Sequence, residues 1–226
     1  MSIMNTVTLN CPKCGKEHPF NMWKTLNTGI NPEMRAAVKD KSAFLFECPD
    51  CGNKSYVDYG FLYHQMEDHI MIFYLQTDEE TEEFYHMIKD ESPDSSFSEM
   101  KKMNYLIRVV RSQNELLEKI NIFDEGLDDR IIEIMKVFYR AHYFKESLDD
   151  KEVIMLYVNK DGKDSFDVFV DNQYNGALPL DMEIYEKLSK AYVGELSAIR
   201  EDIPFINFNW AVAVITQDKK AEEIES

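Results

Sequence analysis

Positive charge is scarce in this chain: 25 Lys and Arg stand against 42 Asp and Glu among 226 residues, a formal net charge of −17. Neutralising phosphates with Lys and Arg supplies most non-specific nucleic-acid affinity. An acidic body with no Lys/Arg-rich block opposes that approach. Long apolar runs are absent too. The longest, Ile70–Leu75, Val153–Val158 and Trp210–Ile215, fall far short of the ~20 residues a spanning helix needs. Met1–Asn10 has neither the basic start nor the apolar stretch of an export signal, so a soluble, cytoplasmic protein with no membrane association is expected. Glycine (8) and proline (7) are few, which excludes a collagenous chain, and 44% apolar residues exclude a mostly disordered one. No GxSxG, P-loop, GxGxxG or HExxH pattern occurs, so the common hydrolase, NTPase, dinucleotide and zinc-protease signatures are missing.

Cysteine is also rare, and its placement is the clearest signal. All four lie in two clusters, Cys11-Pro12-Lys13-Cys14-Gly15 and Cys48-Pro49-Asp50-Cys51-Gly52. Two thiolates three positions apart can grip one ion because the chain between them forms a tight turn whose N–H groups face the first sulfur. Pro12 and Pro49 pre-set φ there, and Gly15 and Gly52 accept the left-handed conformation that follows. Two such knuckles close a tetrahedral shell of four thiolates, the usual structural zinc arrangement. Disulfides suit a secreted chain, which this one is not expected to be. A redox CxxC would open a helix after a buried strand, whereas here the motif is duplicated with Gly after each copy. One structural Zn²⁺ on Cys11, Cys14, Cys48 and Cys51 is therefore expected.

The insert between the knuckles is longer than the ~15–20 residues of a minimal four-cysteine site and should carry structure of its own. A short strand, a helix near Pro32–Lys41 and a strand Ala43–Phe46 are expected. Asn31-Pro32-Glu33 reads as N-cap, first helical Pro and an acid near the positive helix end.

These residues resemble the CpXC family. The likeness is carried by both knuckles, Trp23, Asn31-Pro32-Glu33, Phe46 before the second knuckle, Leu62-Tyr63-His64 and the apolar Ile70–Leu75. It continues through Arg108-Val109-Val110, the stretch Asn114–Ile120 and Ile122–Arg130, covering about residues 8 to 140. The resemblance implies metal binding at the paired cysteines and implies no reaction. Where an acid is expected after the Tyr-His pair stands Gln65, which removes an Asp orienter from any catalytic role for His64.

Further along, Ser55–Asp58, Gly60–Met66, His69–Leu75 and Asn104–Arg111 read as strands. Thr77-Asp78-Glu79-Glu80 is a capping box opening a helix to about Lys89, and Ser112–Glu115 is a second one, opening a helix to about Phe123. Pro93–Ser98 reads as a polar loop. Gly126 breaks the second helix, and Asp128–Phe144 is the longest helical candidate, with Ile131, Met135, Phe138 and His142 on one stripe. From Asp149-Asp150-Lys151 the texture changes. Val153–Val158 and Phe166–Val170 are strands joined through Lys160–Lys163, a strong hairpin signal. A helix over about Leu180–Leu196 and a strand Ile206–Ile215 follow.

The fold expected is α+β: a zinc-ribbon-like N-terminal region with a four-cysteine site, helices, and a small C-terminal α+β unit. Its expected divisions are 1–147 (ribbon core about 8–75), 148–216, and a charged tail 217–226 that frays. The leading functional expectation is a non-enzymatic interaction module that binds a protein partner or itself. Most of the large side chains are expected in the core, and some of Phe61–Leu75 is a candidate association surface, because Met and aromatics are enriched at interface centres. An enzyme with a cleft site using His64 and the acids from Asp124 to Asp129 is the first alternative. The second is a weak nucleic-acid-binding ribbon using Lys13, Lys16 and Lys54, in the near-neutral first third. His18 is expected outside a ligand shell that four cysteines already fill. His64 and His69, five apart, make no bidentate grip on a helix or a strand. Asp171-x-Gln173-x-Asn175-Gly176 imitates an EF-hand start but has Met182 at its twelfth position and reads as a turn.

Overall fold

The computed structural model describes residues 1–90, 92, 94–144, 151–198 and 204–225. It is α+β and comprises two compact units, Met1–Leu117 and Glu118–Ser226. The expected boundary between 147 and 148 lies outside the described residues.

Unit 1 is built on a five-stranded mixed sheet. Strands β1 (Ile3–Asn10) and β2 (Glu17–Asn27) form a long antiparallel hairpin. The first knuckle is its turn. Strand β2 then pairs in parallel with β5 (Phe61–Gln65), and a parallel pair needs a long crossover. That requirement explains the length of the insert. The crossover holds α1 (Glu33–Lys39), a 3₁₀ turn (Ser42–Phe44) and a second hairpin of β3 (Leu45–Glu47) and β4 (Lys54–Tyr56), with the second knuckle at its tip. Asn31 does not cap α1 with its side chain; its amide donates to Glu33 instead. Strand β6 (Ile70–Tyr74) runs antiparallel to β5 and parallel to β7 (Leu106–Val110). The β6–β7 crossover carries α2 (Asp78–Lys89) and α3 (Ser96–Lys102). Helix α2 starts on the expected reciprocal capping box of Thr77 and Glu80. The span expected to be loop as far as Ser98 instead starts α3, because Ser95 caps it by accepting from the Ser98 N–H.

Most of the run Phe61–Leu75 is core, with Met66 exposed in the turn between its strands. Phe61, Tyr63, Ile70, Met71, Ile72 and Tyr74 are all buried. Strands β5 and β6 sit in the middle of the sheet, where alternating residues meet cover on both faces.

The division between units falls inside α4 (Gln113–Asp124). Unit 2 holds α5 (Asp129–Tyr143) and an antiparallel meander of β8 (Val153–Lys160), β9 (Lys163–Val170) and β10 (Gln173–Pro179). Asp161 and Gly162, both with positive φ, make the expected tight β8–β9 turn. Asp171 and Asn172 (φ 51° and 63°) make a second one. The pseudo-EF-hand is thus a hairpin turn, and β10, not expected from the sequence, follows it. Helices α6 (Met182–Ala191), α7 (Val193–Ala198) and α8 (Phe208–Glu225) complete the unit.

The expected strand Ile206–Ile215 is wrong: that segment begins α8. Ala211, Val214 and Ile215 are buried and Ala213 is exposed, a spacing of three and four that fits a helix and not alternation. Asn207 starts it by accepting from the Trp210 N–H, the N-cap role Asn favours. The expected α5 stripe is also rotated. Phe138 is 42% exposed and His142 is exposed, whereas Ile131, Ile132, Ile134, Met135 and Tyr139 are buried and join Tyr157, Phe166 and Val214 in the core.

All of positions 131–136 are buried, more than one helical turn, so two charged residues of α5 have no route to water. Glu133 and Lys136 join Glu118, Lys119 and Asp129 in an ionic cluster whose members are at most 4% exposed. Lys136 Nζ lies 2.7 Å from Glu118 and 3.0 Å from Glu133, and Lys119 Nζ lies 2.9 Å from Asp129 and 3.3 Å from Glu133. Glu118 Oε1 also accepts the Tyr157 N–H at 2.6 Å. Burial pushes the Glu118 carboxyl up, against the pull of Lys136. Burial works against the Lys136 ammonium, but Glu118 and Glu133 outweigh it and keep that group above its ordinary value.

Candidate metal centre

The two knuckles repeat one another. In the first, Cys11 N–H donates to Lys16 O and Gly15 N–H to Cys11 O, both at 2.9 Å. In the second, Cys48 N–H donates to Asn53 O and Gly52 N–H to Cys48 O, again both at 2.9 Å. Gly15 (φ 72°) and Gly52 (φ 67°) hold the left-handed position that ends each turn. Equivalent residues are therefore 37 positions apart, and the two hairpin tips meet through their sulfurs.

Cys11 Sγ lies 3.6 Å from Cys51 Sγ, and Cys14 Sγ lies 3.6 Å from Cys48 Sγ. All four sulfurs fall within 4.8 Å of one another. A disulfide brings sulfurs to about 2.0 Å, so these are four free thiols. A tetrahedral ion with metal–sulfur bonds of about 2.3 Å spaces its sulfurs about 3.8 Å apart, which this cluster matches. The donor set fits a soft or borderline dication and leaves no open position in a tetrahedral shell.

The thiols cannot all ionise unaided. Backbone N–H groups of Cys14 and Lys13 stabilise the Cys11 thiolate and lower it to about 6. Cys51 receives the Asn53 N–H, but burial and the neighbouring sulfurs outweigh it and push the thiol up to about 12. A cation at the centre removes that conflict. Behind the sulfurs, Leu9, Phe20, Phe46 and Val57 pack against Cys11 and Cys48. Phe20, Tyr59, Phe44 and Phe61 continue as edge and tilted ring contacts toward the sheet.

The model of the CpXC protein family matches residues 9–136, more than half of the chain. The chain belongs to the CpXC family. No curated protein and no solved structure matches it. The CpXC match begins just before the first knuckle and ends at the buried Lys136, so it takes in both the cysteine site and the helices that carry the ionic cluster.

In this CpXC protein His18 stands beside the site. Its Nε2 is 3.4 Å from Cys48 Sγ and 3.0 Å from Asp50 Oδ2, while Lys16 Nζ is 2.6 Å from Asp50 Oδ1. His64 lies elsewhere in unit 1, buried. Asn27 Oδ1 accepts the Gly29 N–H at 2.9 Å, which turns the Asn27 Nδ2 toward His64 Nδ1 at 3.2 Å. The ring proton then sits on Nε2, facing Tyr105 Oη at 2.8 Å. Burial lowers the His64 pKa, which favours the neutral ring. Both nitrogens are occupied, and among the described residues neither meets a carboxylate. His69 meets the Tyr105 ring at a tilt, with centroids 5.1 Å apart. The acids Asp124 to Asp129 belong to unit 2. There Asp128 caps α5 and pairs with Arg130, and Asp129 is taken by Lys119. Asp128 and Asp129 therefore each have a local structural partner. A recess of about 190 Å³ beside Asp128, Arg130, Ser189 and Leu196 is smaller than the ~300 Å³ at which ligand pockets begin. Among the described residues no helix is long and apolar enough to cross a membrane.

Proposed function

We propose that the CpXC centre holds one structural Zn²⁺ on Cys11, Cys14, Cys48 and Cys51, and that the chain is a non-enzymatic, cytoplasmic interaction module. Four sulfurs from two hairpin tips, all within 4.8 Å of one another, carry the reading. Bound there, the ion supplies charge neutralisation for four thiolates and a cross-link between the hairpins. The chain's own residues do the rest: the knuckle N–H groups orient the sulfurs, and the aromatic column from Phe20 to Phe61 ties the tips to the sheet. On this reading 1–147 and 148–216 are the functional divisions of the chain, and a protein partner or a second copy docks on unit 1. The edge strand β1, with Ile3 and Met4 about half exposed, offers the unpaired backbone that strand addition uses.

Against an enzyme stand the saturated sulfur shell and the occupied nitrogens of His64. Against a nucleic-acid ribbon stands the pairing of Lys16 with Asp50 and of Lys54 with Glu47. The test combines metal analysis with sedimentation velocity of the full chain alone and with candidate partners. One zinc per chain and an association weakened by Met4→Lys are expected. Turnover in an unbiased substrate screen would overturn the reading.

A further inference from the structure

The backbone treats the two knuckles alike, but the side chains do not. Lys16 and His18, from the first knuckle and the start of β2, both reach across to the second knuckle. Under the 37-residue repeat the counterpart of His18 is Ser55. Cys11 receives backbone N–H groups from its own turn, whereas Cys48 also receives a ring nitrogen from the opposite hairpin. His18 is held for this contact. Its ring leans on Phe46 with centroids 6.1 Å apart, and its side chain is 13% exposed. Asp50, anchored by Lys16, flanks the same nitrogen.

We propose that His18 is a positioning residue of the metal centre, its Nε2–H donating to the Cys48 thiolate, with Asp50 and Lys16 fixing the ring. This rests on the four-cysteine metal reading. A divalent ion with four thiolates carries a net charge of about −2, and an N–H···S bond draws part of that charge off one sulfur. Partners of this kind around a metal change affinity about 10–100-fold when removed. The chain Lys16–Asp50–His18–Cys48 also joins the two knuckles through side chains alone, so it preorganises the sulfurs before an ion arrives. The same three groups, His18, Cys48 and Asp50, could instead ligate a second ion with Cys48 bridging. The Lys16 ammonium at 2.6 Å from Asp50 already supplies the cation there, which favours the hydrogen-bonded arrangement.

The test uses the full chain loaded with ¹¹³Cd²⁺. A ¹H–¹¹³Cd correlation should show one cadmium coupled to the His18 Nε2–H. The zinc-loaded His18→Ala chain should lose its metal to a chromophoric chelator about 10–100-fold faster than wild type, and His18→Gln, which keeps an N–H donor, should recover part of the difference. Far-UV circular dichroism of both loaded variants should match wild type. Cadmium bound without that coupling, together with wild-type transfer rates in His18→Ala, overturns the role of His18. Two cadmium ions per chain overturn it in favour of ligation. No cadmium bound at all overturns the four-cysteine reading itself.

Discussion

Cys14 and Cys48 are 34 residues apart in the chain, yet their sulfurs lie 3.6 Å from each other. The pair comes from different hairpins, as does Cys11 with Cys51. Each knuckle therefore holds half of a site, and neither half has a use for its thiolates without the other.

Loss of one ligand should act on unit 1 as a whole. Cys48→Ser is expected to abolish stoichiometric metal binding and to lower the thermal midpoint, because a structural ion's binding energy is also folding energy. Native metal content and midpoint in that variant would refute the ligand assignment.

The ionic cluster of unit 2 should be costly to break. Lys136→Met leaves Glu118 and Glu133 buried without their shared ammonium and is expected to destabilise by about 3–5 kcal/mol, read by chemical denaturation. A change under about 1 kcal/mol, the scale of an exposed pair, would show that water reaches the cluster.

The same cluster sets a pH dependence. Burial raises the Glu118 pKa, so the folded chain holds that proton more tightly than the unfolded one. The stabilisation is complete below the unfolded value, about 4.3, and is lost as pH rises through the folded value. Glu118→Gln removes this loss while keeping an acceptor for the Tyr157 N–H. Its stability relative to wild type should therefore increase with pH over that window; a pH-independent difference would contradict the assignment.

What was legible in the sequence was local chemistry. The knuckles, the Thr77 capping box and the Lys160–Lys163 hairpin each state their geometry within a few residues, and each is present. What was not legible depended on tertiary surroundings. Trp210–Ile215 is apolar enough for a buried strand or a buried helix, and only its packing decides for α8. Phe61–Leu75 reads mostly as core, but which of its residues are covered is decided only when its strands are placed mid-sheet. The five buried charges of unit 2 carry no local motif that marks them as buried. The breadth of the apolar set around Glu133 and Lys136 was the one available hint.

A close approach gives a fourth prediction. A Cβ at Gly60 would stand 2.8 Å from the Tyr74 carbonyl oxygen, at the entry to β5. Gly60→Ala should destabilise unit 1 by about 1–3 kcal/mol, measured by chemical denaturation; a neutral or stabilised variant would mean the β5–β6 register can shift.

The capping box of α2 offers a fifth. Thr77 accepts the Glu80 N–H at 3.1 Å, and Glu80 accepts the Thr77 N–H at 3.0 Å. Thr77→Ala should cost about 1 kcal/mol, visible as a shift in the denaturation midpoint with an unchanged slope.

Metal content per chain, determined by inductively coupled plasma mass spectrometry on full-length protein purified without added metal, tests the central claim most directly. One zinc per chain is the predicted result. A metal-free, natively folded protein would contradict the account and return Cys11, Cys14, Cys48 and Cys51 to thiol chemistry.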